Sequence, residues 1–82
     1  MTRHADFMAA VRGIQTHHVV AAMNTLTPGI NWRRCTKGHM AECFDEADGA
    51  RATYPGLRGL DLDTLARRAT ARAAGQSDWR QA

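Results

Sequence analysis

The chain has two prolines, and each is followed by glycine: Pro28-Gly29 and Pro55-Gly56. Proline lacks the amide proton that a helix interior uses, and the glycine frees the backbone to turn, so both pairs read as breaks. They cut the chain into three stretches of roughly helical length. With 82 residues there is room for one core, because a second would bury too little apolar surface. The expected fold is all-α, a small bundle of two long antiparallel helices plus a shorter third helix. That single helical domain spans 1–75, with a polar C-terminal tail over 76–82.

The first stretch, about 4–26, has helical periodicity. Phe7, Val11, Ile14, His18, Ala21, Ala22 and Leu26 recur at spacings of three and four. Met8 and Val19 widen the stripe, and the polar face shrinks to Asp6, Gly13, His17 and Asn24. No Asp, Glu, Lys or Arg occurs between Gly13 and Trp32. One helix of this kind needs cover on more than one side, and the two remaining stretches supply one. The expectation is a homodimer through helix 5–26, or a docked partner, since large apolar patches on single subunits are contact sites.

The second stretch, about 30–53, is amphipathic if it forms one helix. Trp32, Cys35, His39, Met40, Cys43, Ala47, Ala50 and Tyr54 then share a face, with Asn31 as the starting cap. Two features oppose this. Gly38 lies inside, and basic residues come first and acidic ones last, against the helix dipole. The rival reading leaves Ile30 to Thr36 as loop or short strand and starts the helix near Thr36. The third helix starts at a capping Asp61 or Asp63, carries Leu62, Leu65, Ala66, Ala69 and Ala73 as its stripe, and stops at Gly75. The tail beyond is loose unless the Trp79 indole docks.

The hydrophobic share of 44% excludes disorder along the whole chain. The net charge of +3 is modest, and ten of eleven basic residues are arginine. That bias is what a GC-rich genome writes, so arginine alone is weak evidence of function. Met1 to Asp6 leads into Phe7 without a long apolar run, so no signal peptide is expected. The uncharged stretch is too polar to span lipid, which leaves no membrane role and points to a cytoplasmic protein.

Three sets of candidate residues emerge. The first is a protein-binding set: Trp32, Tyr54 and Trp79 where exposed, with Arg33, Arg34 and Lys37 beside them. Trp, Tyr and Arg carry most interface energy. The second is a nucleic-acid-binding set, Arg67, Arg68 and Arg72 on the third helix, for which phosphate contacts are the alternative reading. Leu62 to Ala69 has the look of the first helix of a helix-turn-helix, but no second reading helix follows it. The third is Cys35, His39 and Cys43, at i, i+4 and i+8. Adjacent pairs in that row can chelate zinc, but the outer two lie about 12 Å apart along one helix, and a structural site needs a fourth ligand. The same span forbids a disulfide within one helix. Otherwise no cofactor is implied.

A Cys–His nucleophile lacks an orienting group and a cleft, so no enzymatic activity is expected. The expectation is a non-enzymatic protein that binds another protein. Size and composition suggest, by analogy alone, a phage or mobile-element inhibitor of host defence or gene-expression machinery. A metal-stabilised helical module is the third reading.

Overall fold

The structure is a computed structural model, and it describes residues 3–48, 54 and 56–82. Among the described residues it contains four α-helices and a closing 3-10 turn, with no strand: α1 Arg3–Ala10, α2 Thr16–Leu26, α3 Lys37–Asp48, α4 Leu62–Ala73 and the turn Trp79–Gln81. The chain is all-helical as expected, but the bundle of two long helices and a short third is corrected to four helices of 8, 11, 12 and 12 residues.

The long first helix does not form. Gly13 adopts φ +79°, a left-handed conformation that side chains resist, and Gln15 is extended. The break lets the two halves point their apolar faces at different neighbours. Phe7 and Val11 go into the core where α1 crosses α3 and α4, while Val19, Ala22 and Met23 go in where α2 lies on α4. All five are fully buried in the single chain, and among the described residues Met8, at 37%, is the exposed large hydrophobic. The broad uncovered flank on which a dimer through 5–26 was expected is therefore absent.

The second stretch follows the rival reading. Residues 31–36 form loop and turn, and α3 starts at Lys37 with Thr36 as its cap, its Oγ1 accepting from His39 N at 3.1 Å. Asn31 caps a turn, not a helix: its Oδ1 accepts from Arg33 N at 3.0 Å. The buried face of α3 is Met40, Ala41, Cys43, Phe44 and Ala47, while His39 is exposed. Phase explains the correction. Extending the stripe from Trp32 and Cys35 puts His39 on the face, but those two lie outside the helix, and the true stripe turns onto Phe44. The Phe44 ring meets Phe7 at 5.0 Å between centroids. The expected helix positions 50–53 lie outside the described residues.

The third stretch matches its expectation at both ends, but its stripe is corrected at one position: Ala73 is exposed and Ala71 is buried instead. The Asp61 carboxylate accepts from Asp63 N at 3.0 Å and from the Thr64 hydroxyl at 2.9 Å, and Leu65 and Ala69 are buried. At the far end Gly75, with φ +79°, donates to Arg72 O, and Gln76 N donates to Ala71 O, both at 3.0 Å. This left-handed stop satisfies two carbonyls that the helix leaves open. The tail is not loose: Trp79 docks at 9% exposure, with its turn against α4. No described helix is long and apolar enough to cross a membrane.

The connection from α2 to α3 is held by Trp32, which is 1% exposed. Its indole Nε1 donates to Thr27 Oγ1 at 2.8 Å, and that hydroxyl donates to Met23 O at 2.7 Å. The backbone N of Trp32 donates to Asn24 Oδ1 at 3.2 Å. Every polar atom the indole takes inward is thus paired, as burial requires. Among the described residues, Asp45 Oδ1 on α3 breaks that rule: it is buried with no hydrogen-bond partner.

Thr27→Val keeps the shape and removes the acceptor of the indole N–H. It should lower unfolding free energy by about 1–3 kcal/mol, read by urea denaturation. Asp45→Ala removes the unpaired oxygen and an acid from the negative half of a helix. It should raise stability by about 1 kcal/mol, and a fall in melting temperature would contradict the assignment.

A candidate basic groove at the start of α3

Positive side chains are abundant in this chain, and the structure divides them into those that hold the fold and those that do not. Arg3 reaches from α1 to the 57–60 turn, donating to Leu57 O and to Leu60 O, the latter at 3.1 Å, with its guanidinium 4.9 Å from the Phe44 ring. Lys37 Nζ donates to Val11 O at 2.9 Å, just past the end of α1. Arg68 donates to Thr25 Oγ1 and to Ala82 O, each at 3.3 Å. Arg72 donates to His18 Nδ1 at 2.7 Å and lies 5.5 Å from the Trp79 ring. Each of these cations ties one element to another.

Arg33 and Arg34 are different. Both are exposed, and among the described residues neither guanidinium has a hydrogen-bond, ion-pair or ring partner. Their placement follows from Trp32. With that indole drawn inward and Cys35 N bonded back to Trp32 O at 2.9 Å, the chain makes a tight turn whose two middle residues face solvent. Beside them lies an open groove of about 680 Å³ lined by Asn31, Arg33, Arg34, Cys35, Thr36 and His39. Among the described residues no carboxylate lines it. No acidic residue occupies the first turn of α3 either, so the positive end of the helix dipole adds to the field of the arginines.

The expected sites fare unevenly in this arrangement. Of the protein-binding set, Arg33 and Arg34 share the groove, and Lys37 is committed to Val11. Trp32 and Trp79 are corrected from exposed anchors to core residues, because each ring is buried by the fold itself. Tyr54 is half-buried, its ring 6.1 Å from that of Trp32. Of the nucleic-acid set, Arg67 points outward, donating to Thr64 Oγ1 at 3.2 Å, while Arg68 and Arg72 turn inward to α2. The three do not make one outward face.

Cys35, His39 and Cys43 are not assembled. Cys35 and His39 line the groove, but Cys43 is buried at 2% in the core, and no group of three metal-binding side chains occurs among the described residues. Burial pushes the Cys43 thiol up, opposed in part by the Tyr54 hydroxyl beside it. Burial and a raised thiol both disfavour the thiolate that nucleophilic chemistry uses. The contact with Cys43 in turn raises the Tyr54 hydroxyl.

The groove was partly legible, since Arg33 and Arg34 were read from sequence. Asn31 and Thr36 were missed as lining residues. The signal that would have found them is the pair of capping side chains, Asn31 two residues before Arg33 and Thr36 three before His39. Compared with family models, curated proteins and solved structures, the chain matches none.

The polar contact between α2 and α4 has its own pH dependence. Burial, with the His17 and Arg72 charges beside it, holds the His18 imidazole below its ordinary 6.5. The unfolded chain then takes up the proton more readily than the folded one. The stability this contact contributes is therefore present above 6.5 and lost as pH falls through the lowered folded value. Urea midpoints should fall from about pH 8 to about pH 5, and His18→Gln should reduce that fall. Asp61, held below its ordinary 3.8 by the Thr64 hydroxyl and the Asp63 amide, adds a separate loss at more acid pH by the same sign.

Proposed function

We propose that this chain is a non-enzymatic binding protein that works by docking the Arg33–Arg34 corner onto another protein. The observation that carries the reading is the unspent charge: two adjacent guanidiniums stand exposed and unpartnered beside a groove, while Arg3, Lys37, Arg68 and Arg72 are used to hold helices together. Arginine on a surface turn presents five donors in a planar fork at little ordering cost, which suits a contact surface. The groove offers groups for recognition, and the residues that favoured a metal or a cysteine nucleophile are divided between groove and core. The aromatic anchors expected from sequence play no part in this reading, because Trp32 and Trp79 are inside.

The nucleic-acid reading has less to stand on. It needs a continuous basic track or stacking aromatics, and Arg68 and Arg72 turn toward α2 while, among the described residues, no Trp, Tyr or Phe lines the groove.

The test is affinity capture of a partner from cognate cells by the wild-type chain and by the double variant Arg33→Ala/Arg34→Ala. Both side chains are exposed and unpartnered, so the variant should keep wild-type stability to within about 0.5 kcal/mol. A protein held by the wild type should be lost or strongly depleted with the variant. Equal recovery with both chains removes this corner from the interface.

A further inference from the structure

We infer that the groove at 31–39 seats an extended acidic segment of the partner, with its Asp or Glu carboxylates on Arg33 and Arg34. The inference rests on the protein-binding reading above and names the chemistry of what docks.

Three observations lead to it. The first is charge complementarity. The described lining residues, Asn31, Arg33, Arg34, Cys35, Thr36 and His39, include two guanidiniums and an imidazole but no acid. Guanidinium and carboxylate match as paired donors and acceptors, and such bonds are about twice as strong as neutral ones.

The second is the order of charge along α3. Basic residues precede it and Glu42, Asp45, Glu46 and Asp48 fill its later turns. This order works against the helix dipole, so it weakens the helix that carries it. Departures from local preference of this kind concentrate where a chain meets a ligand. The arrangement keeps carboxylates of the chain itself away from the groove end of α3, where they would compete with an incoming acid.

The third is shape and lining. The groove is open and about 680 Å³ in volume, which is roughly the size of a pocket for a whole small ligand and large for one carboxylate. Its walls hold polar groups suited to a peptide backbone, the Asn31 amide and the Thr36 hydroxyl. Among the described residues they hold no Trp, Tyr or Phe on which nucleobases would stack.

The experiment uses the full chain labelled with nitrogen-15 and a synthetic ten-residue glutamate-rich peptide. Amide shifts are followed by titration at low and at physiological salt. The expected result is saturable shifts centred on Asn31, Arg33 to Thr36, Gly38 and His39, weakening as salt rises. The same peptide with Gln in place of Glu should give none. Arg33→Ala/Arg34→Ala should weaken binding by roughly tenfold or more, and Arg67→Ala should leave it unchanged.

Absence of saturable shifts, or shifts centred on α4, overturns the inference. So does tighter occupation of the same amides by a ten-nucleotide single strand, which would assign the groove to nucleic acid. The two levels separate cleanly. If the peptide fails while partner capture still depends on Arg33 and Arg34, the acidic-segment inference falls and the binding reading stands. If capture is also independent of them, both fall.

Discussion

The Trp32 indole is the hinge on which this small fold depends. The chain leaves α2 at Leu26 and must cross to the start of α3 at Lys37. It does so by dropping its largest side chain into the core and satisfying the one polar atom of that side chain with Thr27, whose hydroxyl in turn closes on Met23 at the end of α2. An indole buries more apolar surface than almost any other side chain, so one residue anchors the connection. The residues that follow have no room inside. Arg33 and Arg34 are exposed because Trp32 is not.

The same economy governs the remaining charge. In so short a chain the helices have little interface with which to hold each other. Several contacts are therefore made by cations reaching backbone carbonyls or side-chain acceptors on a different element: Arg3 to the 57–60 turn, Lys37 to Val11, Arg68 to Thr25 and Ala82, Arg72 to His18. Long basic side chains suit this task because their aliphatic stems pack while their heads bond. The Trp79 ring adds a cover for the end of α4, with Arg80 4.4 Å and Arg72 5.5 Å from its centre. Arginine content by itself therefore says little here. What separates a structural arginine from one available for recognition is whether an acceptor lies within reach.

The candidate groove gains its character by subtraction. Its thiol neighbour Cys43 is in the core, the Trp32 and Phe44 rings are in the core, and Lys37 is turned to Val11. What stays at the surface is Asn31, two free arginines, Cys35, Thr36 and His39. A chemical row that looks contiguous in sequence, Cys35, His39 and Cys43, is split because Cys35 precedes the helix, His39 stands exposed in its first turn and Cys43, one turn on, is buried in the core.

Sequence alone determined the all-helical class, an acidic cap at Asp61 or Asp63 and the Gly75 stop of α4, and the exposure of Arg33 and Arg34; that the cap is Asp61 was decided by the structure. These rest on local physics: a carboxylate beside free amides, a glycine tolerating a positive φ, a charge preferring water. Tertiary structure decided the rest. It broke the first stretch at Gly13, because two short helices can each lay an apolar face on a different neighbour where one rod leaves a flank bare. It turned the α3 stripe from His39 to Phe44, because the phase of a helix depends on where it begins. It also took Trp32, Trp79, Arg68 and Arg72 out of the list of contact residues, because a large ring or a long cation goes to whichever neighbour satisfies it, and only the assembled fold says which neighbours exist.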